Sequence, residues 1–374
     1  MKICHLTSVH SGLDTRIVIK ECQSLARDGH DVSYIVPNEK NRTEYGVQII
    51  GVSSNPRHPI ERITKTTSNV FQKAKMQNAD VYHFHDPELI PIGLKLKKLG
   101  KKVIYDVHED VPEQILSKQW IPRMIRKFIS NIVEKVEKKA SRKFDAIVTA
   151  TPHIEQRFKT YNSNTVTIHN YPLVEELAVE NTKTDEIESS ISQKGKVIYI
   201  GGIYRLRGIV EMISAVEESN DKSSVEFILG GKFAPPELED EVRELSGWEH
   251  VDYRGQLNRI EVRQALGESQ AGLVLLHPEP RFVVSLPIKM FEYMSAGIPV
   301  IASNFPLWKE IVEGNDCGIC VDPLDIDEVS NAIRQLIDNP EFAQTMGKNG
   351  RDAVLELYNW EKESKKLIEI YNKL

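Results

Sequence analysis

Cysteine is scarce in this sequence. The chain of 374 residues has four cysteines, Cys4, Cys22, Cys317 and Cys320, too few for a disulfide framework at this length. Cys317 and Cys320 have C-x-x-C spacing, but without a second pair or a thioredoxin-like context this spacing is weak evidence for zinc or redox chemistry. Two thiols beside a buried strand are the simpler alternative. The cysteine content therefore predicts a protein of a reducing compartment.

Long apolar runs are also lacking. The plainly apolar stretches, such as Ala271–Leu276 and Ile298–Ala302, fall well short of the roughly 18–20 residues that span a bilayer. Near the N-terminus, His5, His10 and Asp14 interrupt the region where a secretory signal needs unbroken apolar residues. The sequence therefore predicts a cytoplasmic protein without a membrane-spanning helix.

An excess of positive charge is lacking as well. The chain has 48 Lys and Arg against 54 Asp and Glu, a formal net charge of −6, and this balance argues against a nucleic-acid partner. Hydrophobic residues make up 40% of the sequence, which is ample for packed cores. Because one domain usually has roughly 100–200 residues, the length predicts two domains.

Short apolar runs alternate with helical patterns along the chain. This alternation predicts βαβ units and an α/β fold with mostly parallel sheets. The strands predicted in the first half are Lys2–Thr7, Asp31–Val36, Val47–Gly51, Asp80–Phe84, Lys102–Asp106, Asp145–Thr149 and Thr165–Ile168. Those predicted in the second half are Lys196–Ile200, Ser224–Leu229, His250–Tyr253, Gly272–Leu276, Pro299–Ala302 and Ile319–Val321.

An acidic segment without a sustained apolar face separates the two halves. We therefore expect a doubly wound domain over residues 1–175, a linker over residues 176–194 and a second doubly wound domain over residues 195–358. Residues 359–374 are predicted to form a terminal helix whose apolar side chains suit packing on either domain.

The sharpest local motif is the segment Val197–Val216, a strand, a loop between Gly201 and Gly208, and an amphipathic helix. Glycines let the backbone approach a ligand, and a helix start offers unpaired amides to an anion. Arg205 and Arg207 add permanent charges whose planar groups suit phosphate oxygens. The motif predicts a diphosphate site, although it lacks the sequences of a P-loop and of a dinucleotide fingerprint. The alternative is an ordinary glycine-rich turn with solvated arginines.

A second segment, Val283–Asn304, repeats this geometry. Pro287 suits the first turn of a helix, which leaves the amides of Ile288 and Lys289 free to point at a phosphate. Further along, the carboxylate of Glu292 can accept hydrogen bonds from a ribose diol. The alternative is a capped helix with Glu292 in solvent.

Histidines and carboxylates gather near predicted strand ends in the first half. His83 and His85 share one face of a strand, with Asp86 at its carboxyl end, and the next strand is followed by His108. Such a set of residue types is compatible with zinc. The alternative for His108 is a structural histidine at a strand end.

The segment Ser117–Lys143 is strongly basic, with nine Lys or Arg and two Glu. Its apolar residues, from Ile121 to Val136, follow helical spacing. A basic amphipathic helix is typical of proteins that dock on anionic membranes. The alternative is that the apolar face packs on the sheet while the basic face is solvated.

The two glycine-containing segments together resemble glycosyltransferase family 4, in particular its members of bacterial polysaccharide biosynthesis. The resemblance is carried by Gly201-x6-Gly208 with a basic residue at 207, and by the later P-x-K-x-F-E-Y-M-x-A-G-x-P-V-I-A-S, which begins at Pro287. It covers nearly the whole chain. It implies the GT-B fold, two Rossmann-like domains facing across a cleft, and transfer of a sugar from a nucleotide diphosphate with retention of configuration.

The resemblance also implies roles for individual residues. The donor would contact Gly201, Gly202, the amides of Ile288 and Lys289, and Glu292, while Arg205 and Arg207 stabilise the leaving diphosphate and His108 approaches the donor sugar. Two positions depart from the family pattern: Gly202 stands where an arginine is expected, for which Arg205 is the candidate replacement, and Val284 stands where a glutamate is expected. The acceptor would contact residues of the N-terminal half, namely His10, Asp14, Arg16, His85 and Asp86, with a helix N-cap as the alternative for Asp14.

The predicted function is retaining transfer of a hexose-type sugar from a UDP- or GDP-sugar to a glycan or lipid-linked acceptor, in cell-surface polysaccharide or glycoconjugate synthesis. No cofactor and no metal are expected. Residues 117–143 are predicted to dock on an anionic membrane, which places the protein in the cytoplasm and peripherally at the inner face of the membrane. The alternatives are a non-catalytic GT-B protein that binds a nucleotide or glycan and, less favoured by the motifs, a sugar-nucleotide epimerase.

Overall fold

The computed structural model describes residues 1–54, 61–117, 121–174 and 195–374. These residues form two compact units. The N-terminal unit contains Met1–Asn170 together with Trp360–Leu374, and the C-terminal unit contains Tyr171–Asn359. The predicted linker, residues 176–194, lies outside the described residues.

The N-terminal unit is built on an eight-stranded sheet with the order β3-β4-β2-β1-β5-β6-β7-β8. All neighbouring strands are parallel except β3 and β4, which are antiparallel. The strands are β1 Lys2–Leu6, β2 Asp31–Pro37, β3 Arg42–Glu44, β4 Val47–Val52, β5 Val81–Phe84, β6 Lys102–Val107, β7 Ala146–Thr149 and β8 Thr165–Thr167.

Helices cover this sheet. The first begins as a π-helix, Thr15–Cys22, and continues as α1, Gln23–Arg27. The others are α2 Thr67–Gln77, preceded by a π-helical turn at Arg62–Thr66, α3 Ile90–Lys98, preceded by a 3₁₀ turn at Pro87–Leu89, α4 Val111–Ser117, α5 Arg123–Ser141 and α6 Pro152–Lys159.

An aromatic cluster forms the core on one side of this sheet. The rings of Phe84 and Tyr105 stack with centroids 4.7 Å apart, and Phe144 packs edge-on against Phe84 at 5.3 Å. A Cβ atom at Gly93 of α3 would lie only 2.7 Å from the Phe84 ring. The close packing of α3 on β5 therefore depends on a glycine at this position.

The C-terminal unit has a six-stranded sheet with the order β11-β10-β9-β12-β13-β14, and all its strand pairs are parallel. The strands are β9 Gly195–Ile200, β10 Val225–Gly230, β11 Val251–Gly255, β12 Ala271–Val274, β13 Val300–Ser303 and β14 Gly318–Val321. The helices are α7 Ile209–Asn220, α8 Glu237–Arg243, α9 Arg259–Gly267, α10 Pro280–Val283, α11 Ile288–Ala296, α12 Pro306–Val312, α13 Ile326–Ile337 and α14 Pro340–Glu356, with 3₁₀ turns at Arg205–Arg207 and Ser246–His250.

The last helix, α15 (Trp360–Asn372), belongs to the N-terminal unit. The indole N–H of Trp360 donates to Ser24 Oγ at 2.9 Å, and the carboxylate of Glu363 accepts from the amide of His169 at 2.9 Å. Tyr371 is buried, and its hydroxyl lies 2.7 Å from His83 Nδ1. The terminal segment is therefore tied to the first unit by polar contacts as well as by its apolar face.

The structure confirms the predicted α/β class and a strand at each predicted position, with ends shifted by one or two residues. Strand β3 was not predicted. Its residues, Arg42, Thr43 and Glu44, are polar, and it pairs at the sheet edge with β4 alone. A short polar edge strand has no hydrophobic alternation to reveal it.

Candidate active site

A glycine loop, Gly201–Gly208, follows β9 in the C-terminal unit. Gly201 and Gly208 have positive φ angles of 138° and 73°, a region that favours glycine. The amide of Gly201 donates to the carbonyl of Gly230 at 2.9 Å. A Cβ atom at Gly208 would lie 2.2 Å from the carbonyl oxygen of Leu275. The predicted strand, loop and helix are therefore present, and the backbone itself requires these glycines.

Arg207 folds back over this loop. Its Nη1 donates to the carbonyl oxygen of Gly202 at 3.1 Å, and its guanidinium lies 5.0 Å from the centre of the Tyr204 ring. Within the described part of the chain, no carboxylate lies within ion-pair distance of Arg207. Its positive charge is therefore available to an anion at the loop.

Arg205 lies on the other side of the same 3₁₀ turn and is 50% exposed. Its guanidinium forms an ion pair with Glu241 of α8, and the hydrogen bond to Glu241 raises the pKa of Arg205. In the structure this side chain is paired with a carboxylate in solvent, which favours Arg207 over Arg205 as the cation for a diphosphate. The catalytic role of Arg205 stays a prediction.

Lys289 brings a second cation to the loop that sequence reasoning missed, because only its backbone amide was considered. Its Nζ lies 3.4 Å from the centre of the Tyr199 ring. It also lies 3.0 Å from the position that a Cβ atom at Gly201 would occupy, and Arg207 Nη1 lies 3.9 Å from the same position. Burial, together with the charge of Arg207, lowers the pKa of Lys289 well below its usual value.

The N-terminus of α11 stands beside these cations. Ile288 and Lys289 belong to the first turn, whose amides have no acceptor within the helix. The loop before the helix is anchored by the buried Trp308, whose indole N–H donates to the carbonyl of Ser285 at 2.7 Å. Both amides therefore lie at the N-terminus of α11, as predicted.

Glu292 lies one turn further along α11 and is partly buried. Its Oε1 accepts from Arg259 Nη1 at 2.8 Å, so its predicted hydrogen bonds to a ribose would be made by a carboxylate that already has a partner. Val284 ends the short helix α10 and offers no polar side-chain atom there. The role of Glu292 stays a prediction.

In the N-terminal unit, four histidines and Asp106 form a histidine cluster at adjacent strands. The register pairs His5 of β1 with His83 of β5. His5 Nδ1 lies 2.9 Å from His85 Nε2, and Asp106 Oδ2 lies 3.2 Å from His85 Nδ1 and 3.0 Å from His108 Nε2. His108 is the member that reaches the surface, with 19% of its side chain exposed.

The carboxylate of Asp106 determines the direction of these hydrogen bonds. Burial would raise the pKa of Asp106, but the charges of Arg16 and His108 outweigh it and hold that pKa well below its usual value. An ionised carboxylate only accepts hydrogen bonds, so His108 Nε2 and His85 Nδ1 both donate to it. Burial lowers the pKa of His85 to about 4, which keeps this ring neutral.

Arg16 is 5% exposed and contacts this cluster through Asp106. It pairs with Asp106 at 3.1 Å and with Glu21 at 3.0 Å, and its Nη1 donates to the carbonyl of Ile168 at 3.0 Å. Arg16 and Glu21 are five positions apart, and the π-helix brings them together. Arg16 and the equally buried His85 make their polar contacts within the N-terminal unit, which favours a supporting role for both side chains. Their contact with an acceptor stays a prediction.

The first loop is held by Asp86 and Asp14. Asp86 Oδ2 accepts from Thr7 Oγ1 at 2.7 Å and from the amide of Ser8 at 2.6 Å, and Asp86 is itself buried. Asp14 accepts from the amides of Arg16 and Ile17, so the N-cap alternative describes it. Asp86 thus anchors the loop, and its contact with an acceptor stays a prediction.

His10 is the predicted acceptor residue that stays accessible. Its Nδ1 lies 2.9 Å from Asp14 Oδ2, its Nε2 lies 3.5 Å from Asp86 Oδ1, and its ring meets that of His108 edge-on at 5.2 Å. Burial disfavours the charged ring, but the hydrogen bond to Asp14 and the charge of Asp86 outweigh it and raise the pKa of His10. The open part of this site is therefore formed by His10 and His108.

Among the described residues, two groups of side chains have the geometry of metal ligands. Glu21, His83, His85 and Asp106 bring ligand atoms within 4.8 Å of one another, and so do the more exposed Asp110, Glu113 and His153. In the first group, the guanidinium of Arg16 already pairs with both carboxylates. A cation is thus built into this group, which supports the proposal that it needs no metal.

Cys320 lies in β14, and Cys317 directly precedes this strand. Burial raises the pKa of both thiols to about 12. A thiol that stays protonated is a poor nucleophile and a poor metal ligand. The pair therefore fits the simpler alternative of two thiols beside a strand.

The large apolar side chains of α5 do not pack on the sheet, as the alternative interpretation of this helix required. The residues that pack inward are Ser130, Glu137, Ala140 and Ser141. Five large apolar side chains are instead exposed, Met124 by 90% and Phe128 by 66%; this apolar stripe comprises Met124, Ile125, Phe128, Ile132 and Val136. Among the described residues, no helix has both the length and the apolar character to cross a bilayer.

Comparison with known proteins identifies the family. The sequence profile described as glycosyl transferases group 1 matches residues 181–353, and the profile described as glycosyltransferase family 4 matches residues 15–171. An MMP α-(1→4)-mannosyltransferase of Mycolicibacterium hassiacum is 20% identical over 77% of this chain and 70% of its own length. A GDP-mannose-dependent phosphatidylinositol monomannoside mannosyltransferase of Mycobacterium tuberculosis is 34% identical over 23% of each chain.

Solved structures give the same fold. The sucrose-phosphate synthase of Thermosynechococcus elongatus superposes with a TM-score of 0.80 at 18% identity, covering 100% of this chain and 98% of its own. HepE of Anabaena, solved in complex with UDP, superposes with a TM-score of 0.74 at 15% identity and covers 100% of both chains. The two profiles between them take in both units and the relatives are enzymes. The chain therefore belongs to the group 1, family 4 glycosyltransferases and is an enzyme with the GT-B fold.

Proposed function

We propose that this glycosyltransferase moves a hexose-type sugar from a UDP- or GDP-sugar to a glycan or lipid-linked acceptor, with retention of configuration, in cell-surface polysaccharide or glycoconjugate synthesis. One relative is named for its dependence on GDP-mannose and one similar structure holds UDP. These two neighbours support a nucleotide diphosphate donor and leave both bases as candidates.

The observation that carries this proposal is the position of Arg207. Its guanidinium lies over the glycine loop without a carboxylate partner among the described residues, and Lys289, from the first turn of α11, reaches the same loop with its Nζ. A guanidinium and helix-terminal amides are the groups that bind phosphate oxygens. The C-terminal unit therefore offers a site for the diphosphate of a donor.

The proposed chemistry needs positive charge more than a nucleophile. As the glycosidic bond breaks, negative charge grows on the leaving diphosphate, so a cation fixed at that place stabilises the transition state more than the bound donor. In the proposed same-face reaction, a leaving phosphate oxygen takes the proton of the acceptor hydroxyl. No protein nucleophile and no metal are required by this scheme.

The accessible residues of the N-terminal unit suit the sugar side of the reaction. We assign His108, the exposed member of the histidine cluster, to the donor sugar, and His10 to the acceptor. His10 and the ionised Asp14 form a close pair, which suits the recognition of hydroxyl groups because a charged donor and a charged acceptor stand side by side.

The test is a thermal-unfolding screen followed by a turnover assay. A nucleotide at 100 times its Kd raises the free energy of unfolding by about 2.7 kcal/mol, so UDP or GDP should raise Tm clearly while ADP does not. Donors of the stabilising base should then release free sugar slowly without acceptor, with the configuration of the donor. No shift with either nucleotide would overturn the proposal, and a changed sugar still bound to its nucleotide would indicate an epimerase.

We further propose that α5 docks on an anionic lipid surface at the inner face of the membrane. The apolar stripe is flanked by Arg123, Arg126, Lys127, Lys135, Lys138 and Lys139. Exposed apolar residues beside basic residues bind such a surface by burial of the former and by charge attraction of the latter, about 1 kcal/mol for each basic residue. A lipid-linked acceptor would be met at that surface.

Flotation with liposomes tests this docking. We expect binding to vesicles rich in phosphatidylserine and none to vesicles of phosphatidylcholine alone. The double variant Met124→Ser, Phe128→Ser should lower the affinity by about tenfold or more, because it removes the two most exposed members of the stripe. Met76→Ser is the matched control, since Met76 on α2 is 75% exposed but lies outside the stripe. Equal binding to both vesicle types, or equal loss in the control, would refute the docking proposal.

A further inference from the structure

Two basic side chains, those of Lys289 and Arg207, lie beside the glycine loop of the C-terminal unit. Lys289 Nζ and Arg207 Nη1 lie 3.0 Å and 3.9 Å from the point where a Cβ atom at Gly201 would be. Within the part of the chain that the structure describes, neither has a carboxylate within ion-pair distance. Two like charges without an anion between them raise the free energy of the folded protein.

The glycine at 201 makes this arrangement possible. A side chain there would displace the Lys289 ammonium, whereas glycine leaves room for it above the strand end. On its other side the ammonium rests on the face of the Tyr199 ring, 3.4 Å from the ring centre. A cation–π contact holds a cation in place but does not neutralise its charge. The ammonium is therefore positioned for an anion that enters from the loop.

We propose that the Lys289 ammonium is the second cation of the diphosphate site, in the role predicted for Arg205, and that the donor brings a proton onto Lys289 when it binds. This inference rests on the proposed function, because the diphosphate is that of the donor. The proton comes from solvent and forms the third N–H bond of the ammonium; no other bond changes in this step.

The coupling follows from electrostatics. In the free protein, burial and the neighbouring charge of Arg207 favour the neutral amine and outweigh the opposing charge of Glu292, so the pKa of Lys289 is well below its usual value. A diphosphate between the two cations reverses both effects, since it supplies the missing counter-charge and accepts an N–H hydrogen bond. Binding and protonation then support each other, so the affinity for the diphosphate should rise as the pH falls toward neutrality.

Isothermal titration calorimetry with UDP tests this inference. The wild type and two variants, Lys289→Met and Lys289→Arg, are titrated in buffers that differ in ionisation enthalpy, which reports the protons taken up. We expect proton uptake by the wild type in excess of that by Lys289→Arg, whose guanidinium is charged before UDP arrives. Lys289→Met should weaken UDP binding by about ten- to a hundredfold, the fold-change expected for one charge-assisted hydrogen bond.

Lys309→Met is the matched control, because Lys309 is an exposed lysine of the same unit that pairs with Glu313. It should bind UDP as the wild type does. The Lys289→Met protein should keep its thermal stability, since an apolar side chain of similar length replaces a partly buried amine that has no carboxylate within ion-pair distance among the described residues. UDP binding by the wild type with no excess proton uptake, and with unchanged affinity in Lys289→Met, would overturn this inference and leave the proposed function standing. Absence of binding of both UDP and GDP to the wild type would instead overturn the proposed function.

Discussion

Replacement of Arg207 by alanine is expected to lower kcat by about 10²–10³, the loss measured when one donor to a developing oxyanion is removed. The reason is the position of its guanidinium over the glycine loop, where the charge of a leaving diphosphate would grow. A contact that strengthens in the transition state lowers kcat when it is lost, while a contact of equal strength in both states changes KM alone. Steady-state kinetics with a saturating donor separates these two effects.

Arg205 provides the control for this experiment. It is two positions away on the same turn, but its guanidinium is exposed and paired with Glu241. The Arg205→Ala variant should therefore keep a kcat close to that of the wild type. A wild-type kcat in Arg207→Ala, or equal losses in both variants, would show that the diphosphate site is not where we place it.

The second large effect is expected on stability. Arg16→Met should lower the free energy of unfolding of the N-terminal unit by about 3–5 kcal/mol, because it leaves the ionised carboxylate of Asp106 buried without its guanidinium. Hydrogen exchange of the β1 and β5 amides measures this loss within the N-terminal unit. Arg42→Met is the control, since Arg42 pairs with Glu39 and Glu44 at the surface, where ion pairs add little.

The pH dependence of this loss has a definite sign. Asp106 has a lower pKa in the folded chain than in the unfolded chain, despite its burial, because of Arg16 and His108. Its contribution to stability is therefore present above the unfolded pKa of about 3.9 and is lost as the pH falls toward the folded pKa. The deficit of Arg16→Met should shrink at acidic pH for this reason. A deficit that stays constant between pH 7 and pH 3 would indicate lost packing and not lost charge pairing.

Where the candidate donor site depends on backbone conformation, that conformation is predicted well from the sequence. Gly201, Gly208 and the first turn of α11 depend on local conformation, which glycine and proline determine within a few residues. The side chains are harder to predict. Arg205 turns to Glu241, which is 36 positions away, and such a partner leaves no local signal. The ammonium of Lys289 was missed because its contacts, Tyr199 and Gly201, lie on a different strand and loop.

The N-terminal half shows a second limit. Period-two spacing predicts that His83 and His85 share one face of a strand. In the structure, His83 lies in β5 and His85 directly follows it. The burial of Arg16 was not predictable, because its partner Glu21 is five positions away and only a π-helix brings side chains of that spacing together. The apolar stripe of α5 shows a third limit. Helical spacing reports which residues share a face, but it does not report whether another element covers that face.

The return of α15 to the N-terminal unit has a consequence for synthesis of the chain. The hydroxyl of Tyr371 lies 3.1 Å from His5 Nε2, and these two residues are 366 positions apart. While the chain emerges from the ribosome, the N-terminal sheet can form early, but His5 and His83 wait for Tyr371 until all the residues between them have been made. The C-terminal unit, whose residues are continuous, has all its partners before the first unit is complete.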